Sequence, residues 1–144
     1  MMTEANCLFC QIVSGELPAV IVFEDENTVA FLDHRPLFPG HTLLVPREHY
    51  ETLGDLPSKQ VGPLFKNAQL LSRVIEGAMD AEGTFVAMNN RVSQSVPHLH
   101  VHVVPRRRKD GLKGFFWPRT KYKDQEEMEI VKEKIVDKIK QTKN

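Results

Sequence analysis

The chain has 144 residues, of which 41% are hydrophobic and 26% are charged. This length suits a single domain with one main core, and the composition is that of a folded globular protein rather than of a disordered chain. Because 19 basic residues balance 19 acidic ones, no overall positive field draws the chain to nucleic acid or to an anionic membrane surface. Any phosphate binding must therefore come from a local site.

The N-terminal residues show no basic start followed by an apolar run, the pattern typical of a secretory signal. The apolar runs elsewhere are much shorter than the roughly 20 residues that a membrane-spanning helix needs. We therefore expect a cytoplasmic protein with no membrane partner and no nucleic-acid partner.

The first third of the chain predicts a short knuckle followed by three strands. The knuckle (residues 6–16) carries both cysteines and is closed by Gly15. Residues 20–23 and 28–32 are rich in β-forming side chains on either side of a polar turn, which predicts a hairpin. Residues 33–40 contain Pro36, Pro39 and Gly40 and predict a loop, after which residues 41–45 form a strand that ends at Pro46.

The longest predicted element is a helix over residues 58–79, with Ser58 as its N-cap. Its apolar residues recur at steps of three and four, so they share one face, while the charged residues fall elsewhere. The residues expected on the buried face are Val61, Leu64, Phe65, Ala68, Leu71, Ile75 and Ala78.

The rest of the chain predicts a strand at 84–88, a polar turn at 89–95 and a strand at 98–104. A basic loop at 106–111 and an aromatic cluster at Phe115, Phe116 and Trp117 precede an amphipathic helix from Asp124. Tight turns between strands, rather than alternating helices, predict an α+β fold: an antiparallel sheet of about five strands with one long helix, the knuckle and a C-terminal helix. We treat residues 1–144 as one domain, with its core at about 5–105 and the basic and aromatic loop and C-terminal helix at 106–144.

Histidines alternate with apolar residues along the last predicted strand. Since successive side chains of a strand point to opposite faces, His98, His100 and His102 share one face and the residues between them face the core. Neighbouring imidazoles then lie about 6.6–7 Å apart, which suits an extended ligand such as a nucleotide. A neutral imidazole can attack phosphorus while its neighbours donate to the phosphate oxygens. The alternative is a metal-only site in which the three rings hold zinc or copper.

The residues around this row resemble the histidine triad (HIT) family. His-Leu-His-Val-His-Val-Val at 98–104 matches the family's motif of three histidines alternating with apolar residues, and Gln-Ser-Val at 94–96 is similar to its lead-in. The similarity extends to segments at 7–13, 31–33 and 39–46, and so covers about residues 5–105. The chain departs from the family pattern at Ser93, where a glycine is common, and at Pro97, directly before the first histidine.

The resemblance implies a role for each histidine of the row. His100 would be the nucleophile that takes a nucleoside monophosphate, His102 would donate to the phosphate oxygens, and His98 would support the site. Gln94 and Ser95 would hold the phosphate or assist the leaving group.

The resemblance also implies supporting residues outside the row. His41 would lie close to His100, Asp33 would bind the ribose hydroxyls, and Asn89 or its neighbour Asn90 would meet the phosphate. Proteins of this family are typically homodimers, in which Trp117 would approach the nucleotide of the partner subunit.

The only two cysteines, Cys7 and Cys10, are too close in sequence to staple a long loop. A Cys-x-x-Cys pair needs two further ligands to complete a tetrahedral zinc site, and His49 and His98 are the candidates. The pattern is similar to a zinc-containing branch of the HIT family, which implies a structural zinc and no organic cofactor. A redox-active dithiol and a pair of buried thiols without metal remain open.

The resemblance, together with these patterns, implies a nucleotidyl hydrolase or transferase, and more specifically a hydrolase, that cleaves dinucleoside polyphosphates or nucleoside phosphoramidates through a covalent nucleotidyl-histidine. Two alternatives stay open: a nucleotide-binding or signalling module with little turnover, and a metal-handling protein. The basic residues 106–109 either steer a polyphosphate or form an ordinary solvated loop.

Overall fold

The computed structural model of the protein describes residues 4–112 and 119–143. It divides into two compact units, Met1–Asp110 and Gly111–Asn144. The aromatic cluster predicted at Phe115, Phe116 and Trp117 lies outside the described residues.

The first unit has five strands and two helices, together with short 3₁₀ turns at Glu4–Asn6 and Leu53–Asp55. In chain order the elements are α1 (Leu8–Ser14), β1 (Ile21–Glu24), β2 (Thr28–Leu32), β3 (Thr42–Pro46), α2 (Ser58–Ala78), β4 (Gly83–Ala87) and β5 (Val101–Arg106). The strands form one antiparallel sheet in the order β1-β2-β3-β5-β4, which confirms the predicted α+β class.

Buried apolar clusters cover both faces of the sheet, because neighbouring residues of β2 and β3 point to opposite sides. The first cluster packs under α2 and includes Ala30 and Leu44, whereas the second packs under α1 and includes Phe31 and Leu43. The knuckle helix α1 ends at Gly15, as predicted, in a left-handed conformation with a φ of 86°. The sheet is therefore a layer between a long helix and a short one.

The predicted polar turn between β1 and β2 is also what attaches the hairpin to α2. One carboxylate oxygen of Asp25 accepts the backbone N–H groups of Asn27 and Thr28 at 2.9 and 2.8 Å, and the other accepts the Asn67 amide at 2.7 Å. Burial alone would raise the pKa of Asp25, but these donors together hold it below its ordinary value.

The structure corrects three details of the predicted long helix. Ser58 is its first residue, but Pro57 occupies the N-cap position and no side chain caps the helix. Val61, Phe65 and Ala78 were expected on the buried face but are exposed, the first two by 37% and 42%. Asn67 is buried in the face that they were expected to fill, because its amide bonds to Asp25 and Thr28.

The last strand starts later than predicted, at Val101 rather than His98. Its ladder with β3 begins at the pair Leu44 and Val101. Upstream of that point, the backbone N–H of Leu99 bonds to Tyr50 O at 2.7 Å and that of His98 bonds to Val96 O at 2.8 Å. The alternation of sides nevertheless extends back to Leu99, which lies in the α2 core cluster with Val101 and Val103.

The second unit contains α3 (Gln125–Lys143), the predicted C-terminal helix. Three apolar residues of this helix, Met128, Ile135 and Ile139, are 42%, 57% and 49% exposed. Within residues 4–112 and 119–143, no helix combines the length and apolar character that a membrane crossing requires.

Candidate active site and metal centre

The two cysteines and two histidines predicted as metal ligands come together at the start of α1. Cys7 Sγ lies 3.3 Å from His98 Nδ1, and Cys10 Sγ lies 3.5 Å from the same nitrogen and 3.3 Å from His49 Nδ1. All four potential ligand atoms lie within 4.8 Å of one another. Residues separated by up to 91 positions in the chain thus form one compact Cys₂His₂ group.

This donor set fits zinc. Tetrahedral zinc with its usual bond lengths places sulfur and nitrogen ligands about 3.6 Å apart, close to the distances seen here. The Pro46 carbonyl can only accept a hydrogen bond, so the 2.9 Å contact with His98 Nε2 places the ring proton on that nitrogen and leaves the Nδ1 lone pair toward the sulfurs. Burial lowers the pKa of His98 to about 4, which keeps the ring neutral, as a metal ligand must be.

His100 is the middle residue of the row and is held by its own chain. Its Nδ1 donates to the carbonyl oxygen of His98 at 2.8 Å, so the unprotonated nitrogen of the neutral ring is Nε2. The side chain is buried, and burial lowers the pKa of His100 below its ordinary value. At neutral pH the ring therefore offers a lone pair rather than a charge.

The other end of the row is fixed by His41. The backbone N–H of Leu37 donates to His41 Nδ1 at 3.1 Å, which leaves the His41 proton on Nε2. That nitrogen lies 3.0 Å from His102 Nδ1 and 3.7 Å from an Asp33 carboxylate oxygen. His102 therefore accepts at Nδ1 and keeps its own proton on Nε2. Burial, together with the neighbouring His100 and His41, lowers the pKa of His102 to about 4.

Asp33, His41 and His102 also lie close enough to be considered as a second metal site. A metal on His41 Nε2 would move the ring proton to Nδ1, where it would meet the backbone N–H of Leu37. Two donors facing each other are unfavourable, so this group is built as a hydrogen-bonded chain rather than as a metal site.

A cavity of about 860 Å³ opens beside the row. Its lining is mostly apolar and comes from α1 and β2, including Phe9 and Phe31. The polar side chains in the lining are Asp33, His34, Ser95, His100 and His102. An apolar pocket with a few polar groups is the usual form of a small-molecule site.

Two other predicted substrate contacts, Gln94 and Asn89, are not among these lining residues. Gln94 is engaged with the main chain, since its Nε2 donates to Glu51 O at 2.7 Å and its Oε1 accepts from Arg91 N at 2.8 Å. Asn89 is exposed and donates to Ser93 O at 3.3 Å. Trp117 lies outside the described residues.

The structure also identifies site residues that sequence reasoning missed. Phe9, between the two cysteines, packs its ring against His100 with a centroid distance of 5.0 Å. Leu37 acts through its backbone, which no side-chain pattern reveals, and His34 lines the cavity. One indication of a role for Phe9 was present in the sequence, which is its position between two candidate metal ligands.

The fold and the site define an α+β domain with a histidine-lined cavity next to a Cys₂His₂ group. The model of the HIT domain matches residues 14–109, and the chain belongs to the HIT family.

Relatives cover most of the chain. An uncharacterized HIT-like protein of Methanocaldococcus jannaschii is 40% identical over 107 residues, which cover 73% of this chain and 82% of that protein. An adenosine 5'-monophosphoramidase of Candida albicans is 31% identical over 124 residues, 82% of each chain. The crystal structure of a zinc-bound histidine triad family protein from Mycobacterium smegmatis has a TM-score of 0.73 and 38% identity, covering 81% of this chain and 86% of that one.

Proposed function

We propose that the protein is a nucleotidyl hydrolase or transferase that cleaves nucleoside phosphoramidates or dinucleoside polyphosphates through a covalent nucleotidyl intermediate on His100. The observation that carries this proposal is the lone pair on His100 Nε2, which the bond from Nδ1 to the His98 carbonyl enforces beside a large cavity. The similarity to an adenosine 5'-monophosphoramidase supports the choice of substrate class.

The cavity suits a nucleoside monophosphate. Its apolar walls, including Phe9 and Phe31, offer flat aromatic surface to a base. Asp33 lines the same cavity, and its carboxylate can accept hydrogen bonds from ribose hydroxyls. The phosphate would then lie near the polar side chains His100, His102 and Ser95.

In the first step, His100 Nε2 attacks phosphorus, a nitrogen–phosphorus bond forms and the bond to the leaving group breaks. The leaving group departs with the bonding electron pair and takes a proton from the Ser95 hydroxyl, which solvent replaces. In the second step, water attacks phosphorus and gives up a proton to solvent while the nitrogen–phosphorus bond breaks. The electron pair of that bond returns to His100 Nε2, and the nucleoside monophosphate is released. The covalent route divides one difficult displacement into two easier ones.

His102 stabilises the charge on the phosphate oxygens through its Nε2–H. The chain from Leu37 N–H through His41 to His102 Nδ1 prevents the tautomer that would present a lone pair there. His41 is thus a positioning residue. Donors already aimed at developing charge are usually the largest contribution to such catalysis.

Cys7, Cys10, His49 and His98 would hold a zinc ion. With four protein ligands such a zinc is structural and anchors the chain rather than activating water. No organic cofactor enters this chemistry.

The remaining predicted residues have supporting roles in this proposal. Gln94 fixes the loop that carries Ser95, through its bonds to the main chain at Glu51 and Arg91. Asn89 donates a hydrogen bond within the same loop, and it would contact a phosphate only at the exposed edge of that loop.

We further propose that the protein is a cytoplasmic homodimer. β4 is an edge strand, and exposed apolar side chains at Phe65 and Val86 accompany it, which favours pairing with a second copy. Trp117 of each subunit would then reach the partner's nucleotide. A reducing compartment suits thiols that are kept for a metal.

The test is His100→Asn, assayed with adenosine 5'-phosphoramidate and diadenosine polyphosphates. We expect turnover to fall by at least about 10³-fold, because the nucleophile is lost. The variant should retain AMP binding within about threefold, which shows that the pocket is intact.

Wild-type protein quenched in acid during turnover should carry one nucleotidyl group on His100. Turnover at the wild-type rate in the variant would refute the nucleophile, and AMP binding without turnover of any substrate by wild type would identify a binding module.

A further inference from the structure

The helix α1 belongs to the metal centre and to the cavity at once. Cys7 and Cys10 carry the two thiols of the Cys₂His₂ group. Leu8 and Phe9, which lie between the cysteines, line the cavity together with Ile12, two residues after Cys10. One helix of seven residues therefore presents sulfur ligands to one site and a wall to the other.

Phe9 is the closest link between the two sites. Its side chain is 7% exposed, and its ring packs edge-to-face on His98, His100 and Phe31 at centroid distances of 6.0, 5.0 and 5.3 Å. The His100 ring has Phe9 as one neighbour and His102, at 5.0 Å, as another. Phe9 is therefore one of two rings that pack directly on the ring of His100.

A second link runs through the main chain. The ring of His98 faces the two thiols, while its carbonyl oxygen accepts the Nδ1–H of His100. The residue that ligates the metal through its side chain thus positions the nucleophile through its backbone.

The placement of α1 depends on its anchors. A seven-residue helix is too short to be stable by itself in water. Its anchors are the apolar packing of Cys7 and Phe9 on β2 and β3, and the two thiols at the Cys₂His₂ group. A metal ion joining those thiols to His49 and His98 would fasten the helix to two further segments of the chain, whereas its removal would leave the packing alone to hold the cavity wall.

We propose that the knuckle is a metal-dependent wall of the nucleotide cavity and that Phe9 is the positioning residue through which metal occupancy reaches His100. Zinc and nucleotide then bind with positive coupling, although neither touches the other. This inference rests on the proposed function, because it takes the cavity to be the nucleotide site.

Coupling between two sites is reciprocal, which gives two independent measurements. Calorimetry with AMP should show at least about fivefold weaker binding to chelator-treated protein than to zinc-loaded protein, the lower end of the usual range for coupled sites. A competition titration of zinc against a chromogenic chelator should show that saturating AMP raises the zinc affinity by the same factor. Far-UV circular dichroism of the zinc-free chain checks that the sheet and α2 persist.

The variant Phe9→Leu tests whether Phe9 carries the coupling, and its rate in zinc-loaded protein can be measured without relying on the zinc-free chain remaining folded. We expect it to keep stoichiometric zinc but to lose the coupling, so that AMP changes the zinc affinity by less than about twofold. Its single-turnover rate should also fall more than its AMP affinity, because the His100 ring is no longer held.

Leu8→Ala is the matched control, since Leu8 lies on the same helix and lines the same cavity but is 51% exposed. It should weaken AMP binding through lost apolar contact and leave the coupling factor as in wild type. Equal AMP affinity with and without zinc in folded protein, or full coupling in Phe9→Leu, would overturn the inference. Failure of AMP to bind zinc-loaded wild type would overturn the proposed function as well, so the two failures are distinguishable.

Discussion

The two ends of the histidine row have the same side chain and opposite surroundings. At one end His98 is completely buried, donates to a backbone carbonyl and turns its lone pair toward two sulfurs. At the other end His102 accepts from His41 and keeps its proton on the nitrogen left for a ligand. Both have pKa values lowered to about 4, so charge does not distinguish them. The two histidines differ in which ring nitrogen carries the proton.

The difference shows that the backbone assigns the roles in this row. Pro46 O, His98 O and Leu37 N–H each bond to one ring nitrogen and thereby decide which nitrogen of that ring has a lone pair. In the proposed function, a motif of three identical residues is thus divided into a metal ligand, a nucleophile and a donor. Changes at one end should therefore affect zinc, and changes at the other should affect turnover.

Of the changes at the two ends, the largest effect on turnover is expected at the donor end. His102→Ala removes the Nε2–H proposed to stabilise the phosphate oxygens, and loss of one such donor costs about 10²–10³ in kcat. Steady-state kinetics with adenosine 5'-phosphoramidate measures this loss. Zinc content by atomic absorption should stay at the wild-type level, and a loss of zinc would show that the two ends are not separate.

At the metal end, Cys10→Ser replaces one thiolate ligand by a much weaker hydroxyl. Because changes beside the ligands of metal sites already cost 10–100-fold in affinity, we expect at least about a 100-fold loss of zinc affinity here. Chelator competition measures it. Lys66→Ser on the outer face of α2 serves as control, and zinc affinity equal to wild type in Cys10→Ser would exclude this cysteine as a ligand.

Acid should destabilise the fold through the donor end. The pKa of His102 is about 4 in the folded protein against about 6.5 for an ordinary histidine, so the unfolded chain binds more protons between these values. Stability is therefore lost as pH falls through this window, by about 2 kcal/mol from His102 between pH 7 and pH 5. Urea unfolding of wild type and His102→Ala at both pH values measures it, and an equal loss in the variant would contradict this assignment.

The smallest expected effect lies away from both ends. Asn67→Ala removes a partly buried hydrogen bond to Asp25 at 2.7 Å and a buried one to Thr28 at 2.9 Å. The free energy of unfolding should fall by about 1–3 kcal/mol. Zinc content and turnover should both match wild type at 25 °C, so the variant separates general destabilisation from damage to either end. A change in either one would link α2 to the site.

Local periodicity predicted most of the fold. The alternation of Leu99, Val101 and Val103 placed these residues in the core, where the structure has them, and five antiparallel strands were expected and found. The same kind of pattern was wrong for Val61 and Phe65, which are exposed. A helical period identifies an apolar stripe, but the width of stripe that is covered depends on the sheet beneath it.

The sequence by itself determined the α+β class, the alternating row and the set of residues able to ligate zinc or attack phosphate, because these follow from side-chain type and short-range spacing. Only the tertiary structure decided which ring nitrogen keeps its proton, that Gln94 is engaged with the main chain, and that Phe9 joins the metal group to the cavity. The reason is physical: those outcomes depend on backbone carbonyls, amide groups and ring contacts between segments as many as 91 residues apart, for example from Cys7 to His98. No local pattern records such contacts.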